Sequence, residues 1–365
     1  MIYLDNGATS FHKPSSVHRA VLQAMNRCAN PGRGGHRPAM NAANVLFQCR
    51  NQAAALFDCA PEQVVFTHNC THGLNMAIRT LVRPGDKVAI SGFEHNAVTR
   101  PLYALGANMQ IAGRKLFDPA DTLQSFEDVL KKGVSAAVVT HCSNVFGYIL
   151  PLRDIAQLCK QFGVPLIVDA AQSAGILPFS MVDLGASFVA MPGHKGLLGP
   201  QGTGLLLCSR KPKPILYGGT GSESINQNMP DYLPDVGEAG TLNVPGIAGL
   251  GAGMQYVQSV GSAKILERER RQMLRCVEGL EKLGLRVFSG LDQCGTLSFC
   301  APDDCEEFSY QLGKKGIAVR AGLHCAPLAH ESAGTLESGT VRVSFGHEAG
   351  DLQTDTFLRV ASTLL

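Results

Sequence analysis

Between residues 63 and 207 the chain carries short runs that are apolar at every position: Val64–Phe66, Val88–Ile90, Ala136–Val139, Leu166–Val168, Phe188–Ala190 and Gly204–Leu207. A strand with one wet face alternates apolar and polar residues. An unbroken, branched-rich run of this length instead predicts a strand buried on both faces of a mostly parallel sheet. The intervening segments change period. In 151–162 the apolar residues Leu152, Ile155, Ala156 and Leu158 recur at helical spacing. Alternation of the two patterns predicts a doubly wound α/β domain.

The pattern changes after residue 210. Lys211–Pro214 and the Gly/Ser-rich 218–224 interrupt it, and the polar, proline-bearing 226–238 predicts a loop. Residues 246–260 predict a helix. A longer charged helix follows over 263–283, with Ile265, Leu266, Met273, Leu274, Val277 and Leu280 on one side. Short strands at 286–288, 296–300, 318–320 and 340–345, with helices near 305–314 and 351–364, predict a smaller α+β domain. No internal repeat or low-complexity segment is present.

Composition narrows the class. The chain has 365 residues, 45% hydrophobic and 17% charged, enough for a large core and two domains. A net charge of +2 gives no reason to expect nucleic acid or an acidic membrane as partner. No apolar run reaches the ~20 residues of a membrane span. The start, Met1–Asn6, lacks a basic then apolar leader, so no secretory signal is expected. The 12 cysteines are scattered without C-x-x-C spacing, which predicts reduced thiols and a cytoplasmic protein rather than a disulfide framework. His68, Cys70 and His72, and His141 with Cys142, lie close in sequence, but their spacing matches no compact zinc ligand set, and no metal is expected.

In open α/β sheets ligands bind beyond the carboxyl ends of the strands, and reactive residues follow four of the predicted strands. Strand 88–90 leads to Glu94-His95, 136–139 to Thr140–Asn144, 166–168 to Asp169, and 188–190 to Pro192-Gly193-His194-Lys195. A carboxylate at one strand end and a lysine at the next suit pyridoxal phosphate (PLP): the acid pairs with the pyridinium nitrogen and the amine forms the Schiff base. Thr71, behind Cys70, is expected to cap a helix with apolar Leu74, Ala77, Ile78 and Leu81, and that free N-terminus predicts a phosphate site. No G-x-G-x-x-G follows a strand with an acid ~20 residues on, so a nicotinamide cofactor is not expected.

These residues carry a family resemblance. Tyr3–Thr9, Cys70–Asn75, Glu94-His95, Ser143–Gly147, Val168–Gln172, Gly193–Gly204, Glu238–Thr241 and Arg320–Pro327 together resemble the class V, fold-type I PLP enzymes. Within them the chain is similar to the cysteine desulfurase and selenocysteine lyase group of type II kind. The resemblance implies a large, doubly wound, mostly parallel PLP domain of the seven-stranded type over 13–245. It also implies an N-terminal segment, 1–12, packed with the small domain, and a small α+β domain over 246–365. It implies that Lys195 binds the cofactor, Asp169 holds the pyridinium proton, Gln172 contacts the phenolic oxygen, and His95 stacks on the ring and serves proton transfer. Cys70, Thr71 and His194 would lie at the cofactor, with Thr71 and His194 on the phosphate. Thr241 would arrive from the other subunit of a homodimer. Asn144 and Arg342 would clamp the substrate carboxylate, Arg320 would position the Cys325 segment, and Cys325 would be the nucleophile that takes sulfur as a persulfide.

The implied activity is removal of sulfur from L-cysteine with release of L-alanine, with a sulfur-acceptor protein as a possible partner. Selenocysteine lyase, another class V aminotransferase or lyase, and a scaffold that keeps the fold are the alternatives. The chain departs from the family pattern at Pro192, where a serine is common, at His72, where an acid is frequent, and at Leu242, where proline is usual. His324 adjoins Cys325, but strand neighbours point to opposite faces, so it is not expected to be the base.

Overall fold

The computed structural model describes residues 1–32 and 34–365. Its largest sheet has seven strands in the order Val64–Thr67, Gly204–Cys208, Phe188–Pro192, Leu166–Asp169, Ala136–Thr140, Lys87–Ser91 and Asn108–Ala112. Gly204–Cys208 runs antiparallel to both neighbours, and every other pairing is parallel. Strands 136–140, 166–169 and 188–192 are buried at every position, as their unbroken apolar runs require. Asn108–Ala112 is the strand the hydrophobic pattern does not announce. It lies at the sheet edge, pairs on one side only, and begins with an exposed Asn108.

Helices cover both faces of this sheet. One core gathers Phe66, Ala137, Val139, Val168, Leu205 and Leu207 beneath helices Arg37–Phe57, Pro119–Lys131 and Leu152–Gln161. The other gathers Val65, Ile90, Val138, Ile167 and Leu206 beneath Cys70–Leu81 and Asn96–Ala104. A four-stranded antiparallel sheet, ordered Arg320–Gly322, Thr340–Ser344, Thr296–Phe299 and Val287–Phe288, forms a separate core with helices Ser262–Lys282, Cys305–Lys314 and Asp351–Ala361. The strand expected at 318–320 is two strands. Ile317–Ala318 pairs in parallel with Ile2–Tyr3, whereas Arg320–Gly322 pairs with Thr340–Ser344.

Two segments join these bodies. Residues 1–10 place Leu4 in the small core, then reach the large sheet, where the Ser10 N–H and hydroxyl donate to the His194 carbonyl, each at 3.0 Å. Helix Val244–Val260 buries Ile247, Leu250 and Met254 in the large core, against helices Ser15–Arg27 and Arg37–Phe57. Helix Val244–Val260 thus packs with the large body, although the resemblance implied a small domain beginning at 246. The low amphipathicity of 244–260 reflects burial against two helices, which a reading by one-sided stripe does not assign to either domain.

Candidate active site

The parallel register brings the reactive strand ends to one edge: Val138 lies beside Ile90, Thr140 beside Asp169, and Asp169 beside Ala190. Asp169, 2% exposed, accepts the Ala171 N–H at 2.8 Å and the Cys70 thiol at 3.4 Å, both on Oδ1. Cys70 is thus a buried hydrogen-bond donor, and burial, then Asp169, pushes its thiol well above the ordinary value. Gln172 donates from Nε2 to the Gly7 carbonyl at 3.0 Å, which fastens it to the N-terminal segment.

Lys195 follows strand Phe188–Pro192 on a turn that only glycine permits. A Cβ at Gly196 would collide with the Ala174 carbonyl oxygen, and one at Gly193 with the Thr203 hydroxyl. The turn is wedged between residues 174–176 and 203, which fixes where the lysine emerges. Burial, reinforced by Arg342 and opposed by Asp169 and Cys70, lowers the Lys195 amine to about 8. A lysine so placed is partly neutral near neutrality and able to act as nucleophile or base.

His95 is the N-cap of helix Asn96–Ala104, its Nδ1 accepting the Ala97 N–H at 2.9 Å. That bond leaves the ring proton on Nε2, and burial lowers the imidazole below its usual value, so the ring is neutral. Glu94, which precedes it in the chain, is fully buried. Its Oε1 accepts the Ser91 hydroxyl at 2.6 Å and the Thr140 N–H at 2.8 Å, while Oε2 has no partner. Burial raises this carboxyl to about 8, despite those hydrogen bonds. Glu94 thereby ties together two of the strand ends that form the site, a role the sequence did not single out.

The helix that follows strand Val64–Thr67 presents its N-terminus to the same edge. Asn69, not Thr71, is its cap: the Asn69 side chain accepts the His72 N–H at 2.8 Å. Thr71 is exposed in the first turn, which leaves its hydroxyl available to an anion. His194 shares a 3.0 Å hydrogen bond with the Thr9 hydroxyl, and burial lowers its imidazole to about 4. Lys13, which lies in none of the recognised motifs, donates to the Ser10 carbonyl at 2.8 Å and the His194 carbonyl at 3.1 Å. Thr241 lies apart from these groups on the exposed segment before helix Val244–Val260.

The small body supplies the opposite wall. Arg342, 2% exposed, donates from one terminal nitrogen to the Asn144 carbonyl at 2.9 Å and from the other to Asp5 Oδ1 at 2.5 Å, while its Nε has no partner. Asp5 was within the recognised N-terminal motif but carried no expected role. Arg320 is the direct cross-strand neighbour of Arg342. Like charges placed opposite one another are unfavourable unless an anion sits between them. The guanidinium is therefore held from behind by Asp5 and Asn144, with unused donors remaining.

Cys325 is exposed and lies on a turn, not a strand. His324 and Cys325 both adopt left-handed backbone, φ 50° and 57°, a conformation costly for consecutive non-glycine residues. The carbonyls of this pair are clipped to the large sheet: Asn144 Nδ2 donates to the His324 carbonyl at 2.8 Å, and the Asn96 N–H to that of Cys325 at 2.7 Å. His324 and Cys325 are therefore turn residues, not strand neighbours with side chains on opposite faces. Its side chain is buried against Thr340, with Nε2 3.2 Å from both the carbonyl and hydroxyl oxygens, and burial lowers it to about 2, so it is a fixed neutral group.

A class-V aminotransferase family model matches residues 2–356. The chain is 31% identical to a probable cysteine desulfurase of Methanothermobacter thermautotrophicus, over 94% of this chain and 89% of that protein. It is also 31% identical to a probable cysteine desulfurase of Pyrococcus abyssi, over 100% and 94%. Among solved structures, the apo cysteine desulfurase of Thermococcus onnurineus NA1 superposes with a TM-score of 0.92 at 31% identity, covering 100% of this chain and 94% of that one. The Escherichia coli cysteine desulfurase CsdA, in an S-sulfonic acid form, superposes at 0.86 and 26% identity, covering 100% and 95%. With a family model spanning nearly its whole length, the chain belongs to the class-V aminotransferase family.

Proposed function

We propose that this protein is a PLP-dependent cysteine desulfurase that removes sulfur from L-cysteine as a persulfide on Cys325 and releases L-alanine. The observation that carries the reading is the Cys325 turn: an exposed thiol on strained backbone, hydrogen-bonded through both turn carbonyls to the strand ends that hold the other reactive groups. A cysteine kept only for packing would be buried, as Cys159 and Cys276 are.

The residues fit the cofactor. Asp169 is a buried carboxylate suited to a protonated ring nitrogen, Lys195 an amine of lowered basicity, and the Cys70–Leu81 N-terminus with Thr71 a phosphate site. The partnerless Arg342 Nε beside Arg320 calls for an anion. When bound there, PLP supplies an electron sink for the bonding pair left at the substrate α-carbon. Arg342, with Arg320 across the strand pair, would hold the substrate carboxylate, its orientation fixed by Asp5 and Asn144. The freed Lys195 amine, lowered to about 8, is the group suited to take the α-proton. His95 is not, because its lone pair is committed to the Ala97 N–H; it holds a proton at Nε2 and serves as donor. The Cys325 thiolate then attacks the substrate sulfur. The S–S bond forms as the carbon–sulfur bond breaks, and the carbon fragment, reprotonated, leaves as alanine.

Replacing Cys325 tests this. Cys325→Ala is expected to lower alanine release from cysteine, with a reductant present, by at least ~100-fold while cofactor absorbance is kept. Near wild-type release would instead indicate a lyase or aminotransferase in which Cys325 has no chemical role.

A further inference from the structure

Cys142 and Cys294 are 152 residues apart in sequence, yet their sulfurs lie 3.3 Å apart. Both are buried, enclosed by Ile149, Leu177 and Leu266. Backbone fixes the approach: the Cys294 N–H donates to the Gly147 carbonyl at 2.9 Å, and the Cys142 thiol lies 3.5 Å from the same oxygen. Cys142 belongs to the loop that carries Asn144, and Cys294 leads into strand Thr296–Phe299 of the small sheet. The pair therefore spans the seam between the two bodies, behind the side chain that clips the His324 carbonyl.

The pair also has access and asymmetry. Cys294 lines a narrow cavity of about 30 Å³ shared with Glu269, Gln172 and Lys195, room for a molecule the size of water or hydrogen peroxide. The Cys142 S–H donates to the Cys294 sulfur, which raises Cys142 well above the ordinary thiol and lowers Cys294, making Cys294 the better nucleophile. Glu269 is 3% exposed and lines the same cavity. Burial, then Cys294, raises it well above the usual carboxyl range.

We propose that Cys142 and Cys294 are a redox modification site, a dithiol that hydrogen peroxide converts to a disulfide joining the Asn144 loop to the small body. Cys294 sulfur attacks a peroxide oxygen, the O–O bond breaks, and the leaving hydroxide takes the Cys294 thiol proton, with Glu269 able to relay it, to give a sulfenic acid and water. Cys142 sulfur then attacks the Cys294 sulfur. The S–S bond forms as the S–O bond breaks, and the departing hydroxide leaves with the Cys142 proton as a second water. Two thiols and one peroxide become one disulfide and two waters. The sulfurs, 3.3 Å apart, need to close by about 1.3 Å to reach bonding distance. The site is independent of the role proposed for Cys325.

The test uses cofactor-loaded protein, both wild type and Cys325→Ala, the latter so that the exposed thiol consumes no oxidant. After limited treatment with hydrogen peroxide, the protein is denatured, alkylated and digested with trypsin. The expected product is a peptide spanning 133–153 cross-linked through Cys142 to Cys294 in 287–314. It should form at least about ten-fold faster than oxidation of buried Cys159 or Cys276, be cleaved by dithiothreitol, and be absent from Cys142→Ser. Recovery of both thiols fully alkylated, or of Cys294 as a sulfinic acid without the cross-link, in the wild-type protein overturns the proposal.

Discussion

Arg342 illustrates how single side chains are prepared for their chemistry. Its guanidinium is buried, braced by Asp5 and the Asn144 carbonyl, and faces Arg320 across the strand pair. A lysine there would keep the charge but lose the fork that reaches both braces. Arg342→Lys is expected to raise KM for cysteine by at least ~10-fold, read from initial rates of alanine release. Asp5→Asn should do the same more weakly, because it loosens the arginine without removing it. Glu94 gives a pH prediction. Its carboxyl is raised to about 8, so the folded state holds its proton where the unfolded chain has lost it. Its stabilising contribution is complete below the unfolded carboxyl value of 4.5 and is lost as pH rises through about 8. Glu94→Gln, which mimics the protonated form, should show a smaller fall in Tm between pH 6 and 8.5 than wild type. An equal fall in both proteins would contradict this. The family resemblance implied site roles for Lys195, Asp169, His95, Asn144, Arg342 and Cys325 but none for Asp5, Lys13 or Glu94, which act through residues distant in sequence, and spacing along a chain does not reveal such partnerships.

The same contrast holds for whole elements. Strands with unbroken apolar runs were readable because burial on two faces leaves no other arrangement for them. The edge strand Asn108–Ala112 and the split at Val319 were not, since one depends on a single-sided pairing and the other on which of two sheets each half joins. The helix at 70–81 was readable, but its cap was not, because Asn69 and Thr71 carry equally suitable oxygens and only the backbone entry angle chooses between them. Asn69→Ala should therefore cost about 1 kcal/mol of stability in denaturant unfolding, whereas Thr71→Ala should spare stability and weaken cofactor retention on dialysis. Gly147 tests the connection between the bodies. Its φ is +67° and a Cβ would strike the Thr296 carbonyl oxygen. Gly147→Ala is thus expected to destabilise the protein by roughly 1–3 kcal/mol.

Across the whole molecule, the candidate site is a junction. The large sheet supplies Asp169, Lys195, His95 and Asn144, the small sheet supplies Arg342 and Arg320, the turn after it supplies Cys325, and residues 1–13 fasten one to the other through Asp5, Gly7 and Ser10. Thr241 stands exposed outside this group, and Leu22, Met25, Met40 and Phe47 are exposed apolar side chains on the two helices that pack against 244–260. The homodimer that the family resemblance implies, with Thr241 of one subunit at the phosphate site of the other, would cover such apolar side chains. Transfer of sulfur to Cys325 is open to direct measurement by mass spectrometry. Cofactor-loaded protein is given L-cysteine without reductant, and its intact mass and the alanine released are measured together. The expected result is a gain of about 32 Da per chain, localised to Cys325, with one alanine per sulfur and no gain in Cys325→Ala. Stoichiometric alanine with no sulfur on Cys325 would contradict it.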